Sequence, residues 1–409
     1  MGHTVSELDH PVIDADNHYY EALDAFTRHL DPAWAQRTVQ WCDIDGRKYH
    51  VIGGRVSRAV TNATFNPIAS PGAMHDFFRG NPDGRDPRSF LTEREPIRAE
   101  YRDRDARVRV LDEQGLESCW MFPTLGMIYE ELLTSDPEAN CVMFRAFNRW
   151  VQEDWGFGYQ NRIHAAPYIT LADPDWAVDE LQWALDAGAR LIVMRPAAPT
   201  TVTGRRSPFD DTYSRFWSLL NESGITLVVH AGDGGVSTNG YGPEGFSASF
   251  SGGFKPTIKF FAIEQAIQDF VLTMILENHL VTYPNLRVAS VENGAQFLPD
   301  LFRKARSFSH KIPGWFPDDP VDILRNQVWI NPFWEDDVLE VVDLMGADRV
   351  LFGSDWPHIE GMPQPLDYLP EVKALEPDDR RLVLHDNAVE LINPPARRPE
   401  TASAEPRGV

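Results

Sequence analysis

Acidic and imidazole side chains follow directly on a short apolar run near the start of the chain. The segment 12–21, VIDADNHYYE, places Asp16 and His18 two positions apart in a predicted buried strand. Alternate side chains of a strand share a face, so these two groups are expected to point the same way. A carboxylate beside an imidazole is half of a divalent-metal site. The alternative for this stretch alone is an ordinary strand-to-loop transition, where Asp and Asn are common.

Other polar groups stand at the ends of later apolar segments: Arg195 after 191–194, His230 after 225–229, Glu292 after 287–291, Asp355 after 350–353, and His358 just beyond. Each group has a plainer interpretation. His230 could be a loop or helix-cap histidine, and Asp355 could be a turn residue. Arg195 and Glu292 could be salt-bridge partners. The coincidence of suitable groups at several strand ends favours a shared site.

The residue types indicate what this site would bind. Two histidines and two aspartates on converging strands can fill most of the shell of one divalent ion, and the predicted ligands are Asp16, His18, His230 and Asp355. Neutral imidazole nitrogens and carboxylate oxygens suit zinc, manganese or iron(II). We expect one ion, with zinc first and manganese or iron(II) as alternatives.

A repeated alternation of strands and helices must position these groups. The predicted strands lie near 12–16, 118–122, 164–171, 191–194, 225–229, 287–291, 326–330 and 350–353. Alternating strands and helices imply a parallel sheet. Eight such units favour an α/β fold of the (β/α)8 TIM-like barrel type, whose active site lies at the C-terminal ends of the strands. An open doubly wound sheet would want a glycine-rich loop after the first strand, which is missing here.

The predicted domain organisation is one barrel with two long insertions. Residues 1–11 form an N-terminal tail, 12–393 the barrel, and 394–409 a disordered C-terminal tail. The insertion after strand one covers about 41–92, and the glycine-rich stretch 231–255 follows strand five. Long loops of this kind are uncommon unless they are functional or disordered, so both are expected to cover the site.

Composition limits the partners and the compartment. The 409 residues carry a formal net charge of −23, which argues against nucleic acid and anionic membrane surfaces as partners. The three cysteines have no paired spacing, which suits a reducing, cytoplasmic location. No leader or membrane-spanning run is expected from the apolar pattern. A long helix predicted over about 256–282 would offer a surface for a homodimer.

Several motifs, taken in order, carry a family resemblance: VIDADNHYYE, LIVMRPA, LVVHAGD, VASVENGAQFLPDL and LFGSDWPHIEG. They resemble the amidohydrolase superfamily, and within it the amidohydrolase 2 branch, which is aminocarboxymuconate-semialdehyde decarboxylase-like. DEQGLESCWMFPTLG and HDNAVELI resemble the same branch. The resemblance covers about residues 12–393, and its most specific parts are the D-x-D-x-H of strand one and GSDWPH.

The resemblance implies a distorted (β/α)8 barrel with one catalytic divalent metal. It assigns the first-strand ligand pair to Asp16 and His18, the fifth-strand ligand to His230, and a metal-touching base to Asp355. Binuclear members of the superfamily carry a lysine at the end of strand four. This chain has Met194 and Arg195 there, which implies a single metal.

The sequence departs from the family pattern in two places. Decarboxylases of the branch usually show a histidine at the end of strand six, whereas this chain has Glu292 followed by Asn293 and Gly294. This departure puts decarboxylation in doubt. The first strand also has Asp-x-His in place of His-x-His or Glu-x-His, a milder change because a carboxylate can replace an imidazole as a ligand.

The favoured function is metal-dependent hydrolysis of a small organic substrate, carboxylated or aromatic. The metal would activate a water, Asp355 would act as the general base, and Glu292 would orient the water or accept a second proton. Arg195 would hold a substrate carboxylate, since a guanidinium fork suits that task. Substrate contacts are predicted for Arg195, His358, Trp334 and Tyr20.

Two alternatives stay open at the level of sequence. The first keeps the metal but carries out non-oxidative decarboxylation, or another C–C bond lysis, of an aromatic or muconate-like acid, with Asp355 protonating the carbon. The second is a catalytically inactive barrel that binds a ligand or partner. Release of bicarbonate from aromatic acids would identify the lyase, and an Asp355→Asn variant with every function intact would identify the binding protein.

Overall fold

The structure is a computed structural model that describes residues 8–60, 62–90, 92, 94–245, 257–333 and 336–394. Seven parallel strands form its centre: β1 Ile13–Tyr19, β2 Ser118–Pro123, β3 Ile163–Ala165, β4 Leu191–Met194, β5 Thr226–His230, β6 Val288–Val291 and β7 Val328–Ile330. They are almost entirely buried and mostly apolar, as expected of parallel strands that are covered on both faces.

These strands form two parallel sheets. One has the order β1-β2-β3, and the other has the order β7-β6-β5-β4. In the second sheet Leu227 is opposite both Ile192 and Val288, which sets β4, β5 and β6 in register. The C-terminal ends of neighbouring parallel strands therefore lie at one edge, as the strand-end prediction requires.

The predicted eighth strand, 350–353, is an extended segment and not a regular strand. Val350 forms an isolated parallel bridge with Ile330 of β7. On the other side, the Ala15 amide of β1 donates to the Phe352 carbonyl at 2.9 Å. The segment thus joins the last strand of one sheet to the first strand of the other.

The predicted strand 164–171 is shorter than expected, since β3 covers only Ile163–Ala165. The chain beyond it still reaches the second sheet. Tyr168 bridges Val193 of β4, and the Ile169 amide donates to the Val193 carbonyl at 2.9 Å. Backbone hydrogen bonds therefore link the two sheets at both of their outer edges.

Helices separate the central strands along the chain: Arg104–Gln114, Gly126–Leu132, Pro137–Asp154, Pro174–Asp186, Ser214–Ser223, Ala262–Leu276, His279–Thr282, Leu298–Lys311, Pro320–Gln327, Val338–Met345, Pro377–Arg381 and Asn387–Ile392. Several begin with the same local signal. Asp136, Asp173 and Asp319 each accept a hydrogen bond from the first helical turn, and each precedes a proline. An aspartate cap followed by proline favours a helix start because proline needs no donor there.

The region after β1 contains small antiparallel elements and two short helices: strands Val39–Ile44, Arg47–Ile52 and Arg55–Val56, the pair Ile68–Ala69 and Arg94–Glu95, and helices His75–Phe78 and Pro87–Phe90. A further antiparallel pair joins Thr200–Thr201 to Gly204–Arg205. The first hairpin turns at Asp45 and Gly46, both with positive φ. This two-residue turn matches the twist of the paired strands.

The long helix predicted over 256–282 is wrong as a single element. The chain forms a 3-10 turn at Ile258–Phe261 and then the helix Ala262–Leu276. Asn278 adopts a left-handed conformation, with φ 54°, before a short last turn. Across the described residues, no helix combines the length and apolarity needed to span a membrane. Residues 1–7, 246–256 and 395–409, which include parts of the predicted tails and of the second insertion, lie outside the described ranges.

Candidate metal centre

Four side chains from three strand ends converge on one point. Asp16 and His18 lie in β1, His230 ends β5, and Glu292 follows β6. His18 Nε2 is 3.3 Å from Asp16 Oδ1 and 3.4 Å from Glu292 Oε2. His230 Nε2 is 3.4 Å and 3.2 Å from the same two oxygens. The two Nε2 atoms are 3.2 Å apart, so the four groups form one compact cluster.

The buried carboxylate of Asp14 fastens the cluster's first strand to the segment that carries Asp355. It accepts hydrogen bonds from the Ser354 amide at 2.9 Å, the Ser354 hydroxyl at 2.6 Å and Asn17 Nδ2 at 2.8 Å. Burial raises the pKa of Asp14 to about 6, although these hydrogen bonds oppose the rise. Asp14 thereby sets the position of Asp16 against the neighbouring segment.

Gly353 allows this segment to approach β1 closely. A Cβ at this position would lie 2.5 Å from Asp16 Cβ and 2.8 Å from Asn331 Nδ2. Carbon atoms in normal contact are about 3.5–4.0 Å apart, so no side chain fits here. Asp16 can therefore occupy its observed position only because residue 353 is a glycine.

Two of the site residues have unusual backbone conformations. Glu292 has φ 58° and Asp355 has φ 55°, both in the left-handed region that side chains seldom adopt. The Glu292 amide donates to Asn331 Oδ1 at 3.3 Å, which helps hold that turn. Such conformations cost on the order of 1–3 kcal/mol each and concentrate at functional sites.

The hydrogen bonding of the cluster leaves its inward-facing atoms without partners. His230 Nδ1 donates to the Ala231 carbonyl at 2.8 Å, so in the neutral ring Nε2 carries a lone pair. Among the described residues, neither carboxylate oxygen of Asp16 has a hydrogen-bond partner, although both are buried. Buried acceptors that face one another are costly unless a cation lies between them.

The distances fit such a cation. Five of the six spacings among the four donor atoms are 3.2–3.4 Å, and the sixth, between Asp16 and Glu292, is at most 4.8 Å. A regular tetrahedron with edges of about 3.3 Å has its centre about 2.0 Å from each corner. Zinc binds imidazole nitrogen and carboxylate oxygen at roughly 2.0–2.2 Å. Manganese and iron(II) accept the same donor types. The residues present therefore fit one divalent ion.

The titration behaviour of the cluster also indicates a cation site. Burial opposes a charge on His18, but the close approach of the Asp16 and Glu292 carboxylates outweighs burial and raises the pKa of His18 to about 10. Burial would raise the pKa of Asp16, yet the nearby His18 and His230 rings hold it below its usual value. The carboxylates thus favour a positive charge at the centre, which a metal ion can supply in place of a proton.

A second group adjoins the first. His358 Nδ1 is 2.6 Å from Asp355 Oδ1, which is itself 3.5 Å from His18 Nε2. Burial, followed by repulsion from Glu292 and Asp16, raises the pKa of Asp355 well above its usual value. Burial and the nearby histidines lower the pKa of His358. This pair can store and transfer a proton beside the cluster.

Comparison with known proteins identifies the family. The family model described as amidohydrolase matches residues 98–393. The chain belongs to the amidohydrolase family. A crystal structure of an amidohydrolase from Mycobacterium avium subsp. paratuberculosis K-10 is 40% identical, with 94% of this chain and 98% of that chain covered and a TM-score of 0.87. No curated protein matched the chain.

More distant solved structures share the amidohydrolase fold. A dihydroxybenzoic acid decarboxylase from Polaromonas sp. JS666, with bound manganese and 2-nitroresorcinol, is 18% identical. The likeness covers 78% of this chain and 93% of that chain, with a TM-score of 0.57. A 5-carboxyvanillate decarboxylase from Novosphingobium aromaticivorans, also with manganese, is 13% identical over 95% of this chain and 99% of that chain, with a TM-score of 0.56.

The candidate metal-binding groups of this amidohydrolase include every predicted ligand, divided between two overlapping groups. The structure brings Asp16, His18 and His230 together as expected, but Glu292 completes the four-atom group. Asp355 falls in an overlapping group with His18, Glu292 and His358. The sequence assigned Glu292 a catalytic role only, because strand-end position does not reveal which side chain reaches inward.

Arg195, predicted to hold a substrate carboxylate, is engaged by the protein itself. Its Nε lies 3.2 Å from Glu130 Oε2, and its Nη1 donates to Glu131 Oε2 at 2.7 Å and to the Asp233 carbonyl. The ion pair that the sequence left open as an alternative is therefore present. The substrate contact stays a prediction.

The remaining predicted substrate contacts lie in different places. His358 stacks on His18, with ring centroids 4.0 Å apart. Tyr20 lies behind His358 and donates its hydroxyl hydrogen to the Pro357 carbonyl at 3.0 Å. Trp334 lies outside the described residues. Of these three, the structure places only His358 in a candidate metal-binding group.

Sequence reasoning missed Thr124, which follows β2 and lies 2.9 Å from His358 Nε2 through its hydroxyl oxygen. It also missed Arg107, which donates to Asn17 Oδ1 and, at 2.8 Å, to the His18 carbonyl. The strand-end rule that selected Asp16 and His230 also points to Thr124, because β2 ends at the preceding residue. Arg107 lies on a helix, and no local signal marks it.

Proposed function

We propose that this amidohydrolase is a metal-dependent hydrolase that cleaves an uncharged carbonyl compound, such as an ester, lactone or amide. The observation that carries the proposal is the four-atom cluster of Asp16, His18, His230 and Glu292 beside the Asp355–His358 pair. A metal site next to a proton-transfer pair supplies the two functions that metal-dependent hydrolysis of a carbonyl uses, activation of water and transfer of its proton.

We infer that the two parallel sheets close into a (β/α)8 barrel, with long insertions after strands one and five. The hydrogen bonds between β1 and the segment 350–353, and between Ile169 and Val193, support this closure. In such a barrel the active site lies at the C-terminal ends of the strands, where Glu292 follows β6. The location of the cluster agrees with that rule.

We assign one divalent ion to the cluster, held by Asp16, His18, His230 and Glu292. The donor spacing supports zinc as the first candidate. Manganese is supported by its presence in the two decarboxylase structures, and iron(II) accepts the same ligands. When bound, the ion lowers the pKa of water, polarises a carbonyl oxygen and offsets the repulsion between Asp355 and its carboxylate neighbours.

The proton transfers fall to Asp355. Its Oδ1 contacts His358, whereas its Oδ2 is buried and has no hydrogen-bond partner in the described part of the chain. Oδ2 is therefore free to accept a proton from the attacking water. Asp355 then returns the proton to the leaving group, and His358 holds the carboxylate in orientation during both transfers.

The charges around the site favour an uncharged substrate. Three carboxylates, those of Asp16, Glu292 and Asp355, already surround it. Arg195 is neutralised by Glu130 and Glu131. A substrate carboxylate would therefore meet repulsion from these carboxylates, and the paired Arg195 would attract it less strongly than an unpaired guanidinium, which narrows the sequence expectation of a carboxylated substrate.

An activity screen of zinc- and manganese-loaded protein tests the proposal. We expect turnover of neutral esters, lactones or amides, and a loss of at least 10²-fold in Asp355→Asn, the range of a general base. Asp348→Asn is the matched control, because Asp348 is exposed and forms an ion pair with Arg349 at the surface. Equal activity in wild type and Asp355→Asn contradicts the mechanism.

Decarboxylation is the second candidate, supported by the likeness to two manganese-containing decarboxylases. In that reaction the C–C bond to the carboxylate breaks, carbon dioxide leaves, and Asp355 delivers a proton to the carbon. Incubation with hydroxylated benzoic acids in deuterium oxide separates the two functions. Carbon dioxide release with one deuterium on the product ring favours the lyase, and its absence together with ester or lactone turnover favours the hydrolase.

A cytoplasmic location and a homodimer remain predictions. The helix on which the dimer surface was predicted is shorter than expected and covers Ala262–Leu276. Light scattering on the purified full chain measures the mass in solution, for comparison with the monomer mass of 46.4 kDa. A mass of one chain would exclude the dimer.

A further inference from the structure

Thr124 makes two contacts through one hydroxyl group. Its Oγ1 lies 2.8 Å from the Tyr19 carbonyl oxygen and 2.9 Å from His358 Nε2. A hydroxyl has a single hydrogen to donate, and a carbonyl oxygen can only accept. The hydrogen of Thr124 must therefore point to Tyr19, because otherwise two acceptor oxygens would face each other at 2.8 Å.

The direction of the Thr124 hydrogen bond determines which ring nitrogen of His358 must carry a hydrogen. With its hydrogen committed to Tyr19, Thr124 Oγ1 presents a lone pair to His358 Nε2. A hydrogen bond at 2.9 Å then requires that Nε2 carries a hydrogen and donates it. The other ring nitrogen, Nδ1, lies 2.6 Å from Asp355 Oδ1, so a second hydrogen must lie between these two atoms.

We propose that Thr124 is a positioning residue that orients the His358 ring, holding Nε2 as a donor and directing Nδ1 at Asp355. The proposal rests on the proposed function only in making Asp355 the group that moves protons. The His358 ring has tilted contacts with His18, at a centroid distance of 4.0 Å, and with Tyr20, at 5.8 Å, and these contacts limit rotation of the ring. Thr124 determines which of the remaining orientations is occupied.

The arrangement matters for catalysis because the contact between Nδ1 and Oδ1 leaves Asp355 Oδ2 free. Rotation of the His358 ring by half a turn would place a carbon atom against Asp355 and would remove this hydrogen bond. Asp355 would then have no partner holding its carboxylate. Loss of Thr124 should therefore slow turnover without changing substrate contacts, since Thr124 is engaged by Tyr19 and His358.

The test uses the zinc-loaded full chain with 15N-labelled histidine, because zinc is diamagnetic, and His358→Gln assigns the signal. Wild type is expected to show a hydrogen on His358 Nε2. In Thr124→Val this hydrogen should exchange with solvent on the order of tenfold faster, because the variant lacks one buried hydrogen bond and such a bond is equivalent to roughly a factor of ten. Thr124→Ser keeps the hydroxyl and should restore the wild-type rate.

Thr273→Val is the matched control, because it removes a threonine hydroxyl that donates to the Asp269 carbonyl on a distant helix. Wild-type protein with no hydrogen on His358 Nε2 overturns the proposal, even if Thr124→Val fails to fold. An exchange rate in folded Thr124→Val equal to that of wild type also overturns it. These signals need no substrate, so they decide the proposal even if hydrolysis is disproved.

Once a substrate is found, kinetics add a second readout. Thr124→Val should lower kcat on the order of tenfold with KM unchanged, and Thr124→Ser should restore kcat. A rise in KM at unchanged kcat would mean that Thr124 binds substrate, and that result would overturn the positioning role.

Discussion

Substitution of Gly353 by alanine is the sharpest structural perturbation of the metal centre. The added Cβ would lie 2.5 Å from Asp16 Cβ, and 2.8 Å and 3.0 Å from the side-chain nitrogen and oxygen of Asn331. Carbon atoms pack at about 3.5–4.0 Å, so Asp16 must move away by about 1 Å. Asn331 cannot yield freely, because its Nδ2 donates to the Leu351 carbonyl.

The expected loss of metal affinity in Gly353→Ala follows from how little a metal site tolerates displacement of its ligands. Ligands must stay within about 0.5 Å of their productive positions, and a displacement of about 1 Å exceeds that limit. Disturbance of the groups that orient ligands typically weakens metal affinity by about 10–100-fold. We expect a loss in this range for Gly353→Ala, together with an overpacking cost of about 1–3 kcal/mol in the free energy of unfolding.

Calorimetric titration of metal-stripped full chain with manganese measures the affinity, and circular dichroism establishes that the variant is folded. Gly158→Ala is the matched control. Gly158 is exposed, and a Cβ there would meet no atom within 4 Å. The control should bind manganese as wild type does. Folded Gly353→Ala with wild-type affinity would refute the claim that Asp16 is a ligand held in place by this contact.

Two further predictions concern stability and its dependence on pH. Asp14→Asn should lower the free energy of unfolding by about 1–3 kcal/mol and weaken manganese binding, because an amide nitrogen cannot accept the hydrogen bonds from Ser354 or Asn17. Urea unfolding measures the stability, and calorimetric titration measures the manganese affinity. Unchanged values in both experiments would contradict the role of Asp14. Burial lowers the pKa of His279 to about 3, against about 6.5 in the unfolded chain. Below pH 6.5 the unfolded chain binds a proton that the folded chain does not, so stability falls as pH falls. Between pH 7 and 5, protonation of His279 in the unfolded chain should lower the free energy of unfolding by about 2 kcal/mol. Denaturant unfolding of His279→Leu should show a pH dependence that is smaller by this amount. An unchanged pH dependence would contradict the burial argument.

The sequence pattern was sufficient to place the strands that carry the centre. Asp16, His18 and His230 were located because apolar runs mark parallel strands, and because polar groups at strand ends of such folds gather at one edge. Glu292 was located for the same reason. These residues meet within 3.2–3.4 Å in the structure.

The roles within the cluster were harder to predict. Glu292 has a left-handed backbone, with φ 58°, and its Oε2 lies 3.4 Å from His18 Nε2 and 3.2 Å from His230 Nε2. Asp355 has a similar backbone, but its Oδ1 is bound by His358. Backbone conformations of this kind depend on tertiary packing and leave no pattern in neighbouring residues.

Long-range partners were also beyond sequence reasoning. Arg195 follows β4 as predicted, but Glu130 and Glu131, which neutralise it, lie on a helix far earlier in the chain. The helix predicted over 256–282 is broken at Asn278. Helical periodicity describes which residues are apolar, but it does not reveal where the backbone leaves the helix.

The central claim is that one divalent ion joins β1, β5 and the turn after β6. A crystal structure of the full chain grown with manganese, with anomalous scattering recorded, tests it most directly. We predict a single strong anomalous peak within about 2.0–2.3 Å of His18 Nε2, His230 Nε2 and a carboxylate oxygen of Asp16. A map with no peak among these atoms, at a manganese concentration that saturates binding in solution, would contradict the account.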